Sequence, residues 1–217
     1  MFERFFGKAT GSTLIDAAFD DVSSMLRQSA RMLDLALRAL LENEPLEVDL
    51  DHMDDRVDEG ERMVRRSVLE HLSLNPEQDL VASLVLVSMV QDAERVGDFA
   101  RGLGELLPLA RGPREGPFAE RLRVIVEEIR PLFSLTEEAF RDDDAEKALE
   151  VVATHRRLKL QLKDYTAEVA ASDLRPDMAV VYSAAARILR RVGAHLSNIC
   201  SSVVQPYDRI RHGDEEA

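Results

Sequence analysis

The sequence predicts an all-α protein: two tandem, pseudo-repeated three-helix bundles built from six long antiparallel helices. Three observations carry that prediction. Ala, Leu, Arg, Glu and Val abound while Trp is absent and aromatic residues make up only 5% of the 217 residues, a mixture that favours helix over sheet. Punctuation by Pro and Gly divides the chain into helix-length segments. Finally, one apolar seam with helical spacing recurs at a fixed offset in the second half of the chain.

The first helix is expected from about Ser12, an N-cap candidate, to about Asn43, stopping before Pro45. The second starts near Asp49 with an acidic first turn and runs to about Leu72. Asn75-Pro76-Glu77 reads as the start of the third, with Asn75 capping, Pro76 in the first turn and Leu107 at the end. The run Arg111-Gly112-Pro113-Arg114-Glu115-Gly116-Pro117 is the one Gly/Pro cluster of its kind and sits near the midpoint, as a linker would. Helices over Phe118–Arg141, Ala145–Ala171 and Pro176–Val204 follow, then an acidic tail. The N-terminal Phe2, Phe5 and Phe6 read as a short segment folding back onto the bundle, with contact to a membrane or partner as the alternative.

The repeat is legible in the third and sixth helices. The third carries Leu86, Met89, Ala93, Val96, Ala100, Leu103 and Leu107 with 3,4 spacing, one stripe of a helix. Adding 96 gives Tyr182, Ala185, Leu189, Val192, Leu196, Ile199 and Val203, all apolar or aromatic. At the same offset Glu94-Arg95-Val96-Gly97-Asp98 becomes Arg190-Arg191-Val192-Gly193-Ala194. A glycine inside a helix costs about 1 kcal/mol relative to Ala, so two at matched positions need a cause. The expected division is a first unit over residues 1–110 and a second over 111–217.

Charge excludes several functions. The chain has 28 Lys+Arg against 41 Asp+Glu, a net charge of −13, so nucleic acid is not an expected partner. No run reaches the ~18 apolar residues of a spanning helix, and the N-terminus lacks a signal-peptide pattern. A lone cysteine, Cys200, fits a reducing compartment and a buried structural thiol. These features imply a cytoplasmic protein that meets membranes only through partners. The five histidines show no zinc-enzyme spacing, and phosphate loop, nucleophile elbow and Glu-x-x-His pairs are all missing. Nothing reads as an enzyme.

The chemistry lies in acids. Glu94 and Asp98, spaced i,i+4, project from one face of the third helix, off the apolar seam, and repel each other unless a cation or arginines neutralise them. Asp92 is about 200° from Glu94 around the helix. The second helix opens with Asp49, Asp51, Asp54, Asp55, Asp58, Glu59 and Glu61, where Asp54 and Asp58 share a face, as do Asp51, Asp55 and Asp58. Solvated faces and dipole-favouring first-turn acids explain such runs equally well.

The run Asp92-Ala93-Glu94-Arg95-Val96-Gly97-Asp98-Phe99-Ala100 resembles the E-R-I-G-D signature of the PhoU family of phosphate-signalling regulators. Asn75-Pro76-Glu77-Gln78-Asp79-Leu80 resembles that family's entry to the helix, and Arg191-Val192-Gly193-Ala194-His195-Leu196-Ser197-Asn198-Ile199 resembles its second motif, R-I-G-D-x-x-x-N-I. The resemblance implies a cytoplasmic, non-enzymatic, homodimeric adaptor. It would act between a phosphate transporter and a sensor histidine kinase, and would bind divalent or trivalent metal (magnesium, manganese, iron or zinc). A permease accessory role without transcriptional signalling is the alternative. Carried over, the metal ligands are Glu94 and Asp98, with Asp92 as an outer member and Asp54, Asp55 and Asp58 from the second helix.

The second copy departs from the pattern. Arg190 and Ala194 stand where Glu and Asp are expected, and the fifth helix reads His155-Arg156-Arg157-Leu158-Lys159 where acids are usual. The second site is therefore expected to bind no metal. Arg190 either supplies the missing positive charge structurally or joins a basic patch that meets an acidic partner.

Overall fold

The computed structural model describes residues 13–210. The Ser12 cap, the N-terminal phenylalanines and the end of the acidic tail lie outside these residues. Six long helices fill the description: α1 (Thr13–Leu41), α2 (Leu50–Leu74), α3 (Leu80–Gly104), α4 (Pro117–Asp142), α5 (Ala145–Ala170) and α6 (Pro176–Val204). Short 3-10 turns at Leu107–Leu109 and Tyr207–Arg209 follow α3 and α6. The expected all-α fold is the one observed, and among the described residues there is no strand.

Helices α1, α2 and α3 pack on one another, as do α4, α5 and α6, and the two sets meet along α3–α6 and α1–α4. Both seams face inward: Leu86, Met89, Ala93, Val96, Ala100 and Leu103 are fully buried, and so are Ala185, Leu189, Val192, Leu196 and Ile199. A single contiguous apolar core runs through all six helices. Burying a large aliphatic side chain contributes about 1.5–3 kcal/mol, so these stripes supply most of the drive for packing. Among the described residues, no helix is long and apolar enough to cross a membrane.

Local signals act as the physics of caps requires. Asp49 accepts the His52 N–H at 3.0 Å, and Asp144 accepts those of Glu146 and Lys147, so each satisfies donors that a helix start leaves unpaired. The start of α3 differs from expectation. Asn75 closes α2, donating its N–H to the His71 carbonyl at 2.8 Å, and α3 begins at Leu80 behind a left-handed Asp79 (φ 53°). Buried His71 explains the difference. Its Nε2 lies 3.0 Å from the Gln78 carbonyl oxygen, which holds residues 75–79 as a turn that a helix from Pro76 would destroy. The other end of α3 also comes early, at Gly104, where a Cβ would stand 2.6 Å from Leu50.

The central Gly/Pro run is strapped down. Arg114 donates from Nε to the Leu40 carbonyl at 2.6 Å and from Nη2 to that of Ala39 at 2.9 Å, while its backbone N–H reaches Asn43 Oδ1. Arg123 donates to the Leu41 carbonyl and to that of Arg114. Two guanidinium groups thus satisfy the last carbonyls of α1, where the helix dipole favours positive charge. Gly116, with φ 84°, makes the corner that only glycine takes without strain, and Pro117 opens α4.

Candidate metal centre between α2 and α3

The acidic face of α3 meets the acidic face of α2. Gly97 makes the approach possible, because a Cβ there would lie 3.0 Å from Asp54 Oδ1 and 3.1 Å from Val57. The absent side chain is the space in which the Asp54 carboxylate sits. Glu94 and Asp54 are largely shielded, with side-chain exposures of 15% and 13%, while Asp98 is at 27%.

Shielding sets the electrostatics. Desolvation raises the Asp54 carboxyl to a pKa of about 6, with repulsion from Asp98 next and Arg101 opposing. Glu94 is raised to about 7, again by desolvation first, then by Asp98, with Glu61 and Asp58 adding and Arg95 opposing. Excess negative charge held away from water prefers a proton or another cation.

Two arginines answer part of that charge. Arg101 donates from Nε to Asp54 at 2.9 Å, lies 3.6 Å from Asp98 and 3.5 Å from Asp51, and also pairs with Glu105 at 2.9 Å. Arg95 pairs with Asp98 at 2.5 Å and lies 3.5 Å from Glu94. With these pairs formed, no three acids or other ligating side chains among the described residues converge as a ready-made cage. What the face offers is carboxylate oxygens, partly desolvated, beside a cradle that a Cβ would fill, the donor chemistry that hard cations take.

Of the residues singled out from sequence, Asp54, Asp58, Glu94 and Asp98 are brought within electrostatic reach of one another without closing on a single point. Asp55 is exposed on another face of α2. Asp92 is buried elsewhere: its Oδ1 accepts from Asn198 at 3.0 Å and lies 2.8 Å from His195 Nδ1, tying α3 to α6. His195 in turn stacks on Phe99, and the Arg191 guanidinium sits over the Phe99 ring, 5.2 Å from its centroid. Glu61, named among the acids of the second helix but not among the expected ligands, lies within electrostatic reach of Glu94; the i,i+4,i+7 line Asp54, Asp58, Glu61 was the available signal. Cys200 is fully buried against Thr136, and burial pushes its thiol up to about 12.

The matched region between α5 and α6 has the opposite chemistry. A Cβ at Gly193 would stand 3.2 Å from the ring of buried His155, so the close crossing is kept. Arg190 and Ala194 lie where Glu94 and Asp98 lie on α3.

Comparison with known proteins identifies the fold. Residues 22–107, spanning most of α1 to the end of α3, match the family model of the PhoU domain. No curated protein sequence matches the chain. Two solved structures are similar across most of it. The phosphate transport system regulatory protein PhoU from Streptococcus pneumoniae has a TM-score of 0.79 at 17% identity, covering 88% of this chain and 93% of that one. PhoU from Pseudomonas aeruginosa also has a TM-score of 0.79, at 20% identity, covering 88% of this chain and 95% of that one. The likeness to the PhoU domain thus lies in residues 22–107, and the six-helix fold is similar to that of the two PhoU structures.

Proposed function

We propose that this chain is a PhoU-type regulator of phosphate transport. It works by binding rather than by catalysis, in the cytoplasm, as an adaptor between a phosphate transporter and a sensor histidine kinase. Support comes from the PhoU domain over residues 22–107 and from the likeness of the whole fold to two PhoU proteins. The observation that carries the metal-dependent part is the Asp54–Glu94–Asp98 cluster seated on Gly97. Asp54, Glu94 and Asp98 would hold a hard divalent or trivalent cation, with Asp58 at the edge. The ion would supply positive charge to carboxylates that Arg95 and Arg101 neutralise only in part. Binding therefore competes with those arginines and with protons, and weakens as pH falls below about 6 to 7. Homodimerisation is part of the same reading, as a means of presenting two copies of the adaptor surface.

The regulatory claim is tested in the host by deleting the gene under phosphate-replete conditions. Expected are derepressed phosphate-starvation reporters and altered phosphate uptake, both restored by the wild-type chain. Altered uptake with unchanged starvation reporters would instead select the permease-accessory role. No change in either sinks the regulatory reading. The metal claim is tested separately by titrating Mn²⁺ or Fe³⁺ into the wild type and the Glu94→Ala/Asp98→Ala double variant. Equal binding by both removes the site assignment.

A further inference from the structure

The C-terminal half carries a surface that the phosphate-regulator reading does not use. An open groove of about 600 Å³ runs between α5 and α6. Its floor is apolar and low: Leu162 and Ala186 are buried, and small side chains such as Ala167 and Ala184 line the approach. Small residues on two adjacent helices let a third helix come close, since interaxial distance follows side-chain size at the contact. Cations stand on both walls, Lys163 from α5 and Arg187 and Arg190 from α6.

These cations are not consumed internally. Among the described residues, Lys163, Arg187 and Arg190 make no ion pair with a carboxylate, whereas the nearby acids Glu168 and Asp177 are engaged by Arg121 and Arg175. From Arg156 to Arg191 the chain has eight Lys/Arg against four Asp/Glu, in a protein whose net charge is −13. The basic character is specific to this half, because at the offset of 96 Arg187 and Arg190 correspond to Gln91 and Glu94.

We propose that the α5–α6 groove docks an acidic amphipathic helix of a partner protein. Aliphatic side chains on that helix fill the apolar floor, and carboxylates flanking them meet Lys163 on one wall and Arg187 and Arg190 on the other. Helix-in-groove recognition requires such a combination of apolar floor and charged rim. The net charge argues against broader anionic surfaces. A membrane or a nucleic acid presents a field extending past the groove, which the remaining acidic surface repels, while one acidic helix needs to meet only the groove.

The test places a photoreactive benzoyl-phenylalanine at Ala167, exposed at the groove, in the full chain expressed in its host. Crosslinked peptides are then identified by mass spectrometry. The expected product is a segment of another protein with apolar residues every three or four positions, flanked by Glu and Asp. Arg187→Glu/Arg190→Glu should cut its yield about tenfold, equivalent to roughly 1.4 kcal/mol of binding. Changing two flanking carboxylates of that segment to Lys should restore it. If Arg190→Glu disturbs folding by circular dichroism, Lys163→Glu/Arg187→Glu serves, since both positions are exposed. Crosslinks to a second copy of this chain, to lipid, to nucleic acid or to a segment without acids overturn the proposal. So do an absent crosslink and a yield indifferent to charge reversal. Yield is scored without any phosphate response, so failure here leaves the regulatory reading standing.

Discussion

The α2–α3 and α5–α6 crossings are built alike and charged oppositely. At each, a glycine in the middle of the third helix of its set lets the neighbouring helix come close: Gly97 against Asp54 and Val57, Gly193 against His155. Around the first glycine stand Glu94, Asp98 and Asp54; around the second stand Arg190, Ala194 and buried His155. Backbone spacing constrains the glycine, because any Cβ must find room within a few tenths of an ångström. Charge on the flanking face is free of that constraint, and there the two crossings differ. One face gathers carboxylates, and the other offers cations of its own.

The largest effect should show where the two crossings agree. Val96 and Leu196 are fully buried in one continuous core. Val96→Asp or Leu196→Asp should each cost about 3–5 kcal/mol, read by urea or thermal unfolding, because an unpaired carboxylate is forced into the interior. Since the core is shared, either change should lower one cooperative transition. Two separated transitions would show that the halves are energetically independent.

The glycines sharpen the contrast. Alanine gains about 1 kcal/mol of helix propensity over glycine, against whatever its methyl displaces. At Gly97 the methyl would press on the seated Asp54 carboxylate at 3.0 Å and on Val57 at 3.1 Å, so Gly97→Ala should be net destabilising by about 1 kcal/mol and weaken Mn²⁺ binding. At Gly193 the nearest atom is a His155 ring carbon at 3.2 Å, and Gly193→Ala should lie near zero with no effect on metal. Equal outcomes would mean that the acidic seat does not depend on the missing side chain.

These contrasts also mark how far the sequence reaches. The seams, the paired glycines and the helix count follow from local periodicity, and periodicity survives folding. The turn at 75–79 does not follow from it, because Asn75 and Pro76 look like a helix start until buried His71 claims the Gln78 carbonyl. Likewise Arg111–Pro117 reads as a linker, yet Arg114 and Arg123 strap it to the end of α1 across more than seventy residues. Within the site, Asp92 could be separated from Glu94 by helix rotation alone. Its actual partners, His195 and Asn198, come from a helix that only the α3–α6 crossing brings near.

A smaller effect tests the acidic cluster through pH. Asp54 and Glu94 are acids whose folded pKa values, about 6 and about 7, exceed their ordinary values of 3.8 and 4.5. Between those limits the folded state holds more protons than the unfolded one, so stability contributed by the cluster is present below pH 4 and lost as pH rises to about 7. After allowance for solvent screening this amounts to about 1 kcal/mol. Without metal, Glu94→Gln should therefore raise the melting temperature at pH 8 and leave it nearly unchanged at pH 4. Mn²⁺ at pH 8 should stabilise the wild type more than the variant. An identical pH profile for both proteins would remove Glu94 as the source of the pH dependence.

The smallest effect comes from trying to make the second crossing resemble the first. Arg190→Glu and Ala194→Asp place two carboxylates at i,i+4 beside Gly193 and change the local charge by about −3, which raises attraction for a cation. Against Gly193 the neighbouring helix presents His155 where Asp54 meets Gly97, and Lys159 follows His155 by one turn. A restored pair should therefore bind Mn²⁺ more weakly than Glu94 and Asp98 do, seen as a rise in bound-metal stoichiometry only at high free metal. If it binds nothing, the carboxylates of the second helix in each set are indispensable ligands. Adding His155→Asp should then recover binding. If the unmodified chain already loads both crossings equally, charge at positions 190 and 194 does not decide metal occupancy, and the contrast between the two faces is wrong as a statement about cations.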